Sequence, residues 1–542
     1  MRFLLYFHTI RYLRLTQVIS RFRFRFYRPK PNLLAPPPRR VVINRWIETS
    51  SGRKQSMVAE NTFVFLNESR SINTLADWND PTVEKLWLYN LHYFDDLNAE
   101  GSESRKEWHK CLIHKWIEDN PPGYGNGWEP YPSSLRIVNW IKYALCNREL
   151  SSLAVNSLAI QIRFLCERIE DHLLGNHLLA NAKALIFSGM FFDGKEAEEW
   201  LAKGMFILHR ELLEQILTDG GHFERSPMYH SIILEDFLDI ENISEVFILK
   251  SLIKKETIIK MSNWLAAMCH PDGQIGFFND SAFGIASSLV DLNAYMERLG
   301  YSVQDGLSDG VLQLPETGYI RLQKGEASLL LDVAPIGPSY LPGHAHADTL
   351  SFELSLNDMR LMVNSGTSCY GSGLERQRQR GTAAHNTLII DDYDSSEVWG
   401  GFRVARRAQA NLLNITETST SLSIEASHDG YKRLSGNNMH IRKWQLSEEE
   451  LVVEDEVTGV FSHAEIHFHF HPDILIQQTN DNTVLLKLSD GRSVDVTVHN
   501  ANIYVESSMW HPYFGVSIPN TRLVAVLTGF KVRTYIRWRG SR

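Results

Sequence analysis

The chain has 542 residues, of which 43% are hydrophobic and 22% charged, a globular balance with room for two or three domains. Its formal net charge is −9, but the first 45 residues contain 11 Arg and Lys and no Asp or Glu, so the remainder has 44 basic against 64 acidic residues. This acidic body argues against nucleic acid as a partner, and five cysteines without CxxC spacing predict neither a disulfide framework nor a zinc knuckle.

The first 30 residues, MRFLLYFHTIRYLRLTQVISRFRFRFYRPK, mix arginines with Phe, Leu and Tyr. This stretch lacks the uninterrupted apolar core and the cleavage site of a secretory signal, and its apolar runs are too short to span a bilayer. It predicts either a basic amphipathic segment that makes peripheral contact with an anionic membrane surface or a basic helix that is solvated or docked on the protein.

The order of patterns along the chain predicts three parts. Residues 1–75 form the basic N-terminal segment and a linker that contains RPKPNLLAPPPRR. Residues 76–308 carry apolar residues at helical spacing, as in SSLRIVNWIKYALCN and AEEWLAKGMFILHRELLEQIL, and predict an α-helical domain. Residues 309–542 change to short alternating runs such as LSFELSL and SVDVTVH, which predict an antiparallel β-sandwich.

Two loop-to-helix junctions of the helical part concentrate polar residues. LLGNHLLANAKAL places Asn176 and His177 at the start of a helix, where Asn is also a common N-cap. The second junction places Tyr229 and His230 at another helix start beside a Gly-rich loop, in the stretch DGGHFERSPMYHSIILED. A buried Tyr with one hydrogen bond is the ordinary explanation, but Tyr beside His can also transfer protons when their pKa values are suited to it.

The stretch PGHAHADTLSFEL raises a sharper possibility, because His344, His346 and Asp348 occupy alternate positions. In a β-strand these three side chains point to one face, which suits catalysis or metal binding. A half-solvated strand would also alternate, but histidine pairs are uncommon on such faces. The same half contains Arg376, Arg378 and Arg380, a local basic region that could hold carboxylates or sulfates or could form surface ion pairs.

The motifs LWLYNLHYFDDL, GNHLLANAKAL, ERSPMYH, GHAHADTLSFEL, VNSGTSCY, AAHNTL and HFHFHP, in this order, resemble the heparinase II/III family of polysaccharide lyases. The resemblance covers roughly residues 80 to 480. It implies an incomplete α/α toroid followed by an antiparallel β-sandwich, which agrees with the periodicity. It also implies β-elimination on a uronic-acid-containing acidic polysaccharide.

Carried over residue by residue, the resemblance implies that Asn176 neutralises the uronate carboxylate. Tyr229 acts as base, acid or both, His344 is the other proton-transfer group, and His230 supports them. The chemistry needs such a set, since the carboxylate must be neutralised before its α-proton can leave, and the leaving oxygen needs a proton. We expect substrate contacts from five further residues: His177, Arg225, Tyr370, Arg378 and Arg380.

The family resemblance also implies one structural divalent metal ion, zinc or calcium, with His346 and His385 as ligands. An Asp in the stretch that corresponds to VNSGT commonly joins them, and this chain has Asn364 there. Because Asn is a neutral and poorer zinc ligand, the substitution weakens the expectation of a metal site.

Two other functions stay open at this stage. The first is a metal-dependent enzyme, because the HxH spacing also occurs in metal-dependent hydrolases and is similar to that of a cupin metal site, although the spacing to Glu353 fits poorly. The second is a non-catalytic glycan-binding protein that keeps the lyase fold. We expect a bacterial capsule or exopolysaccharide rather than animal heparin as the substrate. The expected location is the cytoplasm or a membrane surface, with the periplasm left open by the implied role.

Overall fold

The structure is a computed structural model that describes residues 2–48, 53–303 and 306–538. Most helices come first and long antiparallel sheets follow, so the predicted order of a helical domain and then a β-sandwich is confirmed. The last helix of the helical domain ends at Arg298 and the first strand of the β-domain begins at Gly310, on either side of the predicted boundary.

The N-terminal segment forms two short helices and a small sheet: α1 (Arg2–Ile10), α2 (Leu15–Phe26), β1 (Met57–Ala59), β2 (Thr62–Phe65) and β3 (Glu68–Ser71). Both helices dock on the protein. The Trp399 indole donates to Thr9 Oγ1 of α1 at 3.1 Å, and the Phe24 ring of α2 stacks on His172 with 4.0 Å between centroids. The linker prediction is wrong for residues 57–71, because strands of three or four residues are too short to show alternation. Among the described residues, no helix combines the length and apolarity needed to cross a membrane.

The helical domain contains α3 (Lys85–Tyr93), α4 (Lys106–Asp119), α5 (Pro130–Leu145), α6 (Ser152–Glu167), α7 (Gly175–Phe191), α8 (Lys195–Gln215), α9 (Pro227–Val246), α10 (Lys255–Ala267) and α11 (Leu289–Arg298). Helix α7 packs against α5, α6, α8 and α9, and apart from His177 all its residues are buried. A helix that is apolar on all sides must lie inside, so α7 is the central element of this domain.

The β-domain contains one further helix and the remaining strands: β4 (Gly310–Leu314), β5 (Tyr319–Lys324), β6 (Ala327–Asp332), β7 (Phe352–Leu356), β8 (Met359–Met362), α12 (Leu374–Arg380), β9 (Leu388–Ile390), β10 (Val398–Trp399), β11 (Arg403–Val404), β12 (Ala410–Glu417), β13 (Leu422–His428), β14 (Met439–Leu446), β15 (Glu450–Thr458), β16 (Ala464–His469), β17 (Leu475–Asn480), β18 (Thr483–Lys487), β19 (Ser493–His499), β20 (Ala501–Trp510), β21 (Ile518–Leu527) and β22 (Lys531–Trp538). All pairs are antiparallel.

These strands form sheets of the orders β4-β5-β6-β7-β8, β20-β21-β16-β9 and β12-β13-β14-β15-β22-β19-β18-β17, with a separate β10-β11 hairpin. The three larger sheets share one hydrophobic core, to which Phe352, Trp444 and Phe468 each contribute a fully buried ring. Alternate residues of β15 are buried, as expected for strands that present one face to a common core.

The two domains are joined by buried hydrogen bonds at the loop before α9, and we call this contact the domain junction. The Arg225 guanidinium donates to the carbonyl oxygens of Thr317 at 2.9 Å and of Glu316 and Phe223 at 3.3 Å. The Tyr319 hydroxyl donates to Arg225 O at 2.7 Å. Arg225 therefore uses its donors to hold the turn between β4 and β5 against the helical domain.

Replacing Arg225 by Ala should lower the free energy of unfolding by about 3 kcal/mol, because several buried carbonyl oxygens would lose their donor. Chemical denaturation followed by circular dichroism would measure the change. Arg45→Ala is the matched control, since the Arg45 side chain is 83% exposed. Equal stability of the two variants would contradict the role given to Arg225.

Candidate active site

A cavity of about 450 Å³ lies where α7 and α9 face the loops that follow β6 and β8. Both domains line it, as expected for a concave ligand site. Five predicted site residues lie on its wall: Asn176, His177, Tyr229, His344 and Tyr370. We refer to this space as the central cavity.

Asn176 reaches the central cavity because α7 begins with a sharp turn. Gly175 has φ +58°, and a Cβ at this position would lie 2.4 Å from Leu341 Cδ2, so any other residue would be strained and would displace the Leu341 side chain. The Asn176 backbone N–H donates to Glu224 Oε1 at 3.3 Å. The Glu224 carboxylate thus satisfies one of the free N–H groups at the helix N-terminus. The N-cap position belongs to Leu174, so Asn176 is not the N-cap of α7.

His177, the next residue, lies at the cavity wall beside Tyr131, with 4.4 Å between ring centroids. Its Nδ1 lies 3.2 Å from Glu170 Oε1. Burial alone would lower the pKa of His177, but the charge and hydrogen bond of Glu170 outweigh it and raise the pKa. His177 thus provides a positive group at this end of the cavity when protonated.

Tyr229 is delivered by the first turn of α9. Pro227 occupies the first helical position and the Ser226 side chain caps the turn by accepting from Tyr229 N. The Tyr229 hydroxyl lies 2.8 Å from that of Tyr370, which comes from the β-domain. Burial, followed by the neighbouring Tyr370 and Asp280, raises the pKa of Tyr229 well above its usual value. Tyr229 is therefore a neutral hydroxyl that can donate a proton.

His344 meets Tyr229 across the cavity wall, with 3.9 Å between ring centroids and 32° between ring planes. Its Nδ1 lies 2.9 Å from Asp280 Oδ2. Because an ionised carboxylate can only accept, the neutral ring carries its proton on Nδ1 and its lone pair on Nε2. The Nε2 atom lies 3.5 Å from Glu224 Oε2, and burial raises the pKa of Glu224.

Asp280 is a fully buried carboxylate that binds four side chains at once. The Arg376 guanidinium donates to both of its oxygens, one of them at 2.8 Å. His344 Nδ1 and His346 Nε2 lie 2.9 Å and 2.8 Å from it, and the Thr367 hydroxyl donates at 3.4 Å. Burial alone would raise the pKa of Asp280, but the Arg376 guanidinium and the two histidine bonds hold it well below its usual range. Asp280 stays ionised and fixes the orientation of both histidines.

The strand predicted for His344, His346 and Asp348 is absent, since these residues form a loop and β7 begins at Phe352. The loop contains turns at residues 343–344 and 349–350 and has no neighbouring strand. Ala347 N donates to Arg380 O at 2.9 Å, and His346 N to Asn279 Oδ1 at 3.0 Å. The alternation predicts a strand wrongly because these backbone groups bond to other loops and side chains, although the two histidines do converge on one carboxylate.

Four of the residues predicted for catalysis or substrate binding do not line the central cavity. His230 lies behind Tyr229, bonded to Met261 O at 2.9 Å and stacked on Trp264, and Arg225 serves the domain junction. The guanidinium of Arg380 is buried and bound to Ala345 O and Gly401 O at 2.8 Å, so it braces the loop that carries His344. Arg378 is partly exposed and bonds Glu375 and His511.

The residues predicted to hold a metal lie together but lack a third ligand. His346 Nδ1 and His385 Nε2 are 3.3 Å apart, and burial lowers their pKa values to about 4 and about 3. Asn364 uses its amide otherwise, donating to Phe277 O at 3.0 Å and accepting from Asn386 N at 3.1 Å. Within the described ranges no three His, Cys, Asp or Glu side chains form a metal-ligating group. These residues do not fit a three-ligand metal centre.

Sequence reasoning missed several residues of the site. Asp280 and Glu224 stand alone in the loops FFNDSAF and HFERS, with no pattern that distinguishes them from surface acids. The aromatic wall was also missed, because its members come from distant segments: Tyr89, Tyr93, Tyr131, Phe402 and Phe514.

Comparison with protein families decides where the chain belongs. Residues 87–299 match the family description "Heparinase II/III N-terminus", and residues 308–539 match "Heparinase II/III-like, C-terminal". The chain belongs to the heparinase II/III family. The resemblance noted in the motifs is thus confirmed, and the cupin-like alternative has no support.

Three curated relatives illustrate the range of similarity. A heparin-sulfate lyase of Bacteroides stercoris is 29% identical over 40% of this chain and 36% of its own length, and one of Bacteroides thetaiotaomicron is 26% identical over 60% and 52%. The chain therefore spans about half or less of these relatives. FtsZ-localized protein C of Caulobacter vibrioides is 23% identical over 71% of this chain and 69% of its length.

Solved structures agree on the fold. The crystal structure of heparinase III superimposes with a TM-score of 0.74 at 19% identity, covering 97% of this chain and 90% of that one. A chondroitin AC lyase of Streptomyces coelicolor gives 0.54 at 11% identity, covering 85% and 76%. The predicted fold class, an incomplete α/α toroid followed by an antiparallel β-sandwich, is confirmed.

Asp280→Asn should lower the free energy of unfolding at neutral pH by about 3–5 kcal/mol, because Arg376 would remain buried without its counter-charge. The pKa of Asp280 is depressed in the folded protein, so its stabilisation is present above the unfolded-state pKa of about 3.9 and is lost as pH falls below it. The gap between wild type and variant should therefore shrink towards pH ~3.

Urea titrations at neutral and acidic pH would test this. Asp473→Asn is the control, since the Asp473 side chain is 74% exposed. A stability gap that does not change with pH would show that Asp280 does not act through its charge.

Proposed function

We propose that the protein is a polysaccharide lyase that cleaves a uronic-acid-containing polysaccharide by β-elimination. The observation that carries the proposal is the meeting of Asn176, Tyr229 and His344 in one cavity, although they come from two domains. The heparin-sulfate lyases among the relatives support the reaction class. A non-catalytic glycan-binding protein would not require Asp280 to orient the His344 ring or the Tyr229 hydroxyl to be kept neutral.

In the proposed reaction the Asn176 amide donates to the uronate carboxylate and disperses its charge, which makes the C5 proton more acidic. The Nε2 atom of His344 accepts that proton, since Asp280 holds the proton of the ring on Nδ1. The electron pair of the C5–H bond forms the C4=C5 double bond as the bond from C4 to the glycosidic oxygen breaks.

Tyr229 donates its hydroxyl proton to that leaving oxygen. Its raised pKa keeps the proton on the hydroxyl until the bond breaks, and the Tyr370 hydroxyl at 2.8 Å supports the phenolate that forms. After the products leave, Tyr229 takes up a proton and His344 loses one, so the cycle closes without a net change in the protein. No step requires a metal ion.

The cavity wall supports a carboxylated substrate with few sulfates. Its aromatic side chains suit stacking on sugar rings, whereas its cationic side chains are Lys85 and, when protonated, His177 and His344. Lys85 is also paired with Glu129 at 2.9 Å. Dense sulfation would need more arginines, because each sulfate needs a partner when it leaves water. We therefore propose a bacterial surface polysaccharide rather than highly sulfated heparin.

Digestion of a panel of uronate-containing polysaccharides should produce an unsaturated uronosyl end, which absorbs in the ultraviolet. Chains with little or no sulfate should give higher kcat/KM than heparin. Hydrolysed products without a new double bond would rule out the lyase reaction, and a preference for heparin would rule out the substrate class alone.

Tyr229→Phe, His344→Ala and Asn176→Ala should each lower kcat by roughly 100- to 10,000-fold with little change in folding, because each removes one proton-transfer or charge-dispersing group. Tyr504→Phe serves as control, since Tyr504 lies 52% exposed on β20. A variant that keeps near-normal turnover would remove its residue from the proposed reaction.

A further inference from the structure

Helix α2 presents an apolar stripe to solvent. Leu15, Ile19, Phe22 and Phe26 follow at intervals of four, three and four residues and so share one face. These residues are 72%, 59%, 63% and 77% exposed. A contiguous apolar stripe that a folded protein leaves exposed is typical of a binding surface.

Helix α1 repeats the arrangement. Phe3, Phe7 and Ile10 share one face and are 80%, 54% and 55% exposed. We call the two stripes together the N-terminal apolar face. It offers large side chains from two consecutive helices, so it is more than one isolated surface hydrophobe.

The opposite sides of both helices contact the rest of the protein. Thr9 of α1 accepts the Trp399 indole N–H, while Gln17 of α2 is buried and donates to Tyr340 O at 3.3 Å. Phe24 stacks on His172 and also lies under the Arg168 guanidinium at 3.8 Å. Turning either stripe inward would break these contacts, so the docking of the helices holds the stripes outward.

Arginines flank the stripe of α2. At about 100° per residue, Arg23 and Arg25 lie on the two sides of the line through Ile19 and Phe22. Both are exposed, and neither forms an ion pair with any residue in the described part of the chain. The chain beyond residue 45 has 44 basic against 64 acidic residues, whereas on this face positive charge and exposed apolar side chains coincide.

We propose that the N-terminal apolar face binds the surface of an anionic lipid bilayer. The apolar stripe would enter the boundary between headgroups and acyl chains, while the flanking guanidinium groups reach the lipid phosphates. Helices of nine and twelve residues are too short to span a bilayer, so they lie in its plane. A second copy of the chain is a poorer occupant, because its own arginines would face these.

Vesicle flotation with the full-length protein tests the proposal. Vesicles of phosphatidylcholine alone are compared with vesicles that contain about a third phosphatidylglycerol, and binding to the anionic vesicles should be at least about tenfold stronger and should weaken with salt. Protein that stays in the soluble fraction with both vesicles would overturn the proposal.

A matched pair of variants distinguishes vesicle binding through this face from nonspecific binding by exposed apolar side chains. The test variant carries Ile19→Ser, Phe22→Ser and Phe26→Ser. The control carries Val460→Ser, Leu475→Ser and Phe530→Ser, which are 75%, 71% and 60% exposed on the β-domain. We expect the first to lose binding by at least about tenfold and the second to bind as wild type does.

Gel filtration and an assay of the proposed lyase activity check that both variants stay folded. The membrane proposal does not require either measurement to differ from wild type. Equal flotation of the test variant and wild type would overturn the proposal. It would also be overturned if the substitutions abolished a dimer in gel filtration while wild type bound no vesicles, since the face would then pair two copies of the chain.

Discussion

The ionised Asp280 carboxylate is the interaction on which the site depends. It is buried at the meeting point of the two domains and is the common partner of Arg376, His344 and His346. A buried charge of this kind is costly unless every lone pair is used, and here the partners supply both hydrogen bonds and an opposite charge. The same contacts that stabilise the buried carboxylate also set the tautomer of His344. Asp280 therefore contributes both to the stability of the fold and to the proton-transfer site.

Two arginines, Arg380 of the β-domain and Arg225 of the helical domain, serve the same end by binding backbone rather than substrate. Arg380 holds the carbonyl oxygens of Ala345 and Gly401, and Arg225 holds those of the β4–β5 turn. Loops without strand partners leave many carbonyl oxygens unpaired, and a guanidinium with five donors can satisfy several at once. The loop of His344 is rigid for this reason although it is not part of a sheet.

Much of the architecture and the centre of the site could be predicted from sequence. Helical and alternating patterns separated the domains because each period reflects one buried face, and the motifs around Asn176, Tyr229 and His344 were specific enough to name the residues. The rest depends on tertiary contacts. Asp280 has no local pattern, since only folding brings it to the histidines, and a run of arginines does not reveal whether they face ligand or backbone. Spacing alone could not distinguish the loop at His344 from a strand.

The docking of the N-terminal helices has a consequence for motion of the domains. α1 is fixed to the β10–β11 hairpin, whereas α2 contacts both domains, through Phe24 on His172 and through Gln17 on Tyr340 O. Helix α2 thus connects the two domains at a second place besides the domain junction. Any hinge opening that admits a long polymer must keep these contacts or release α2 from one of the domains.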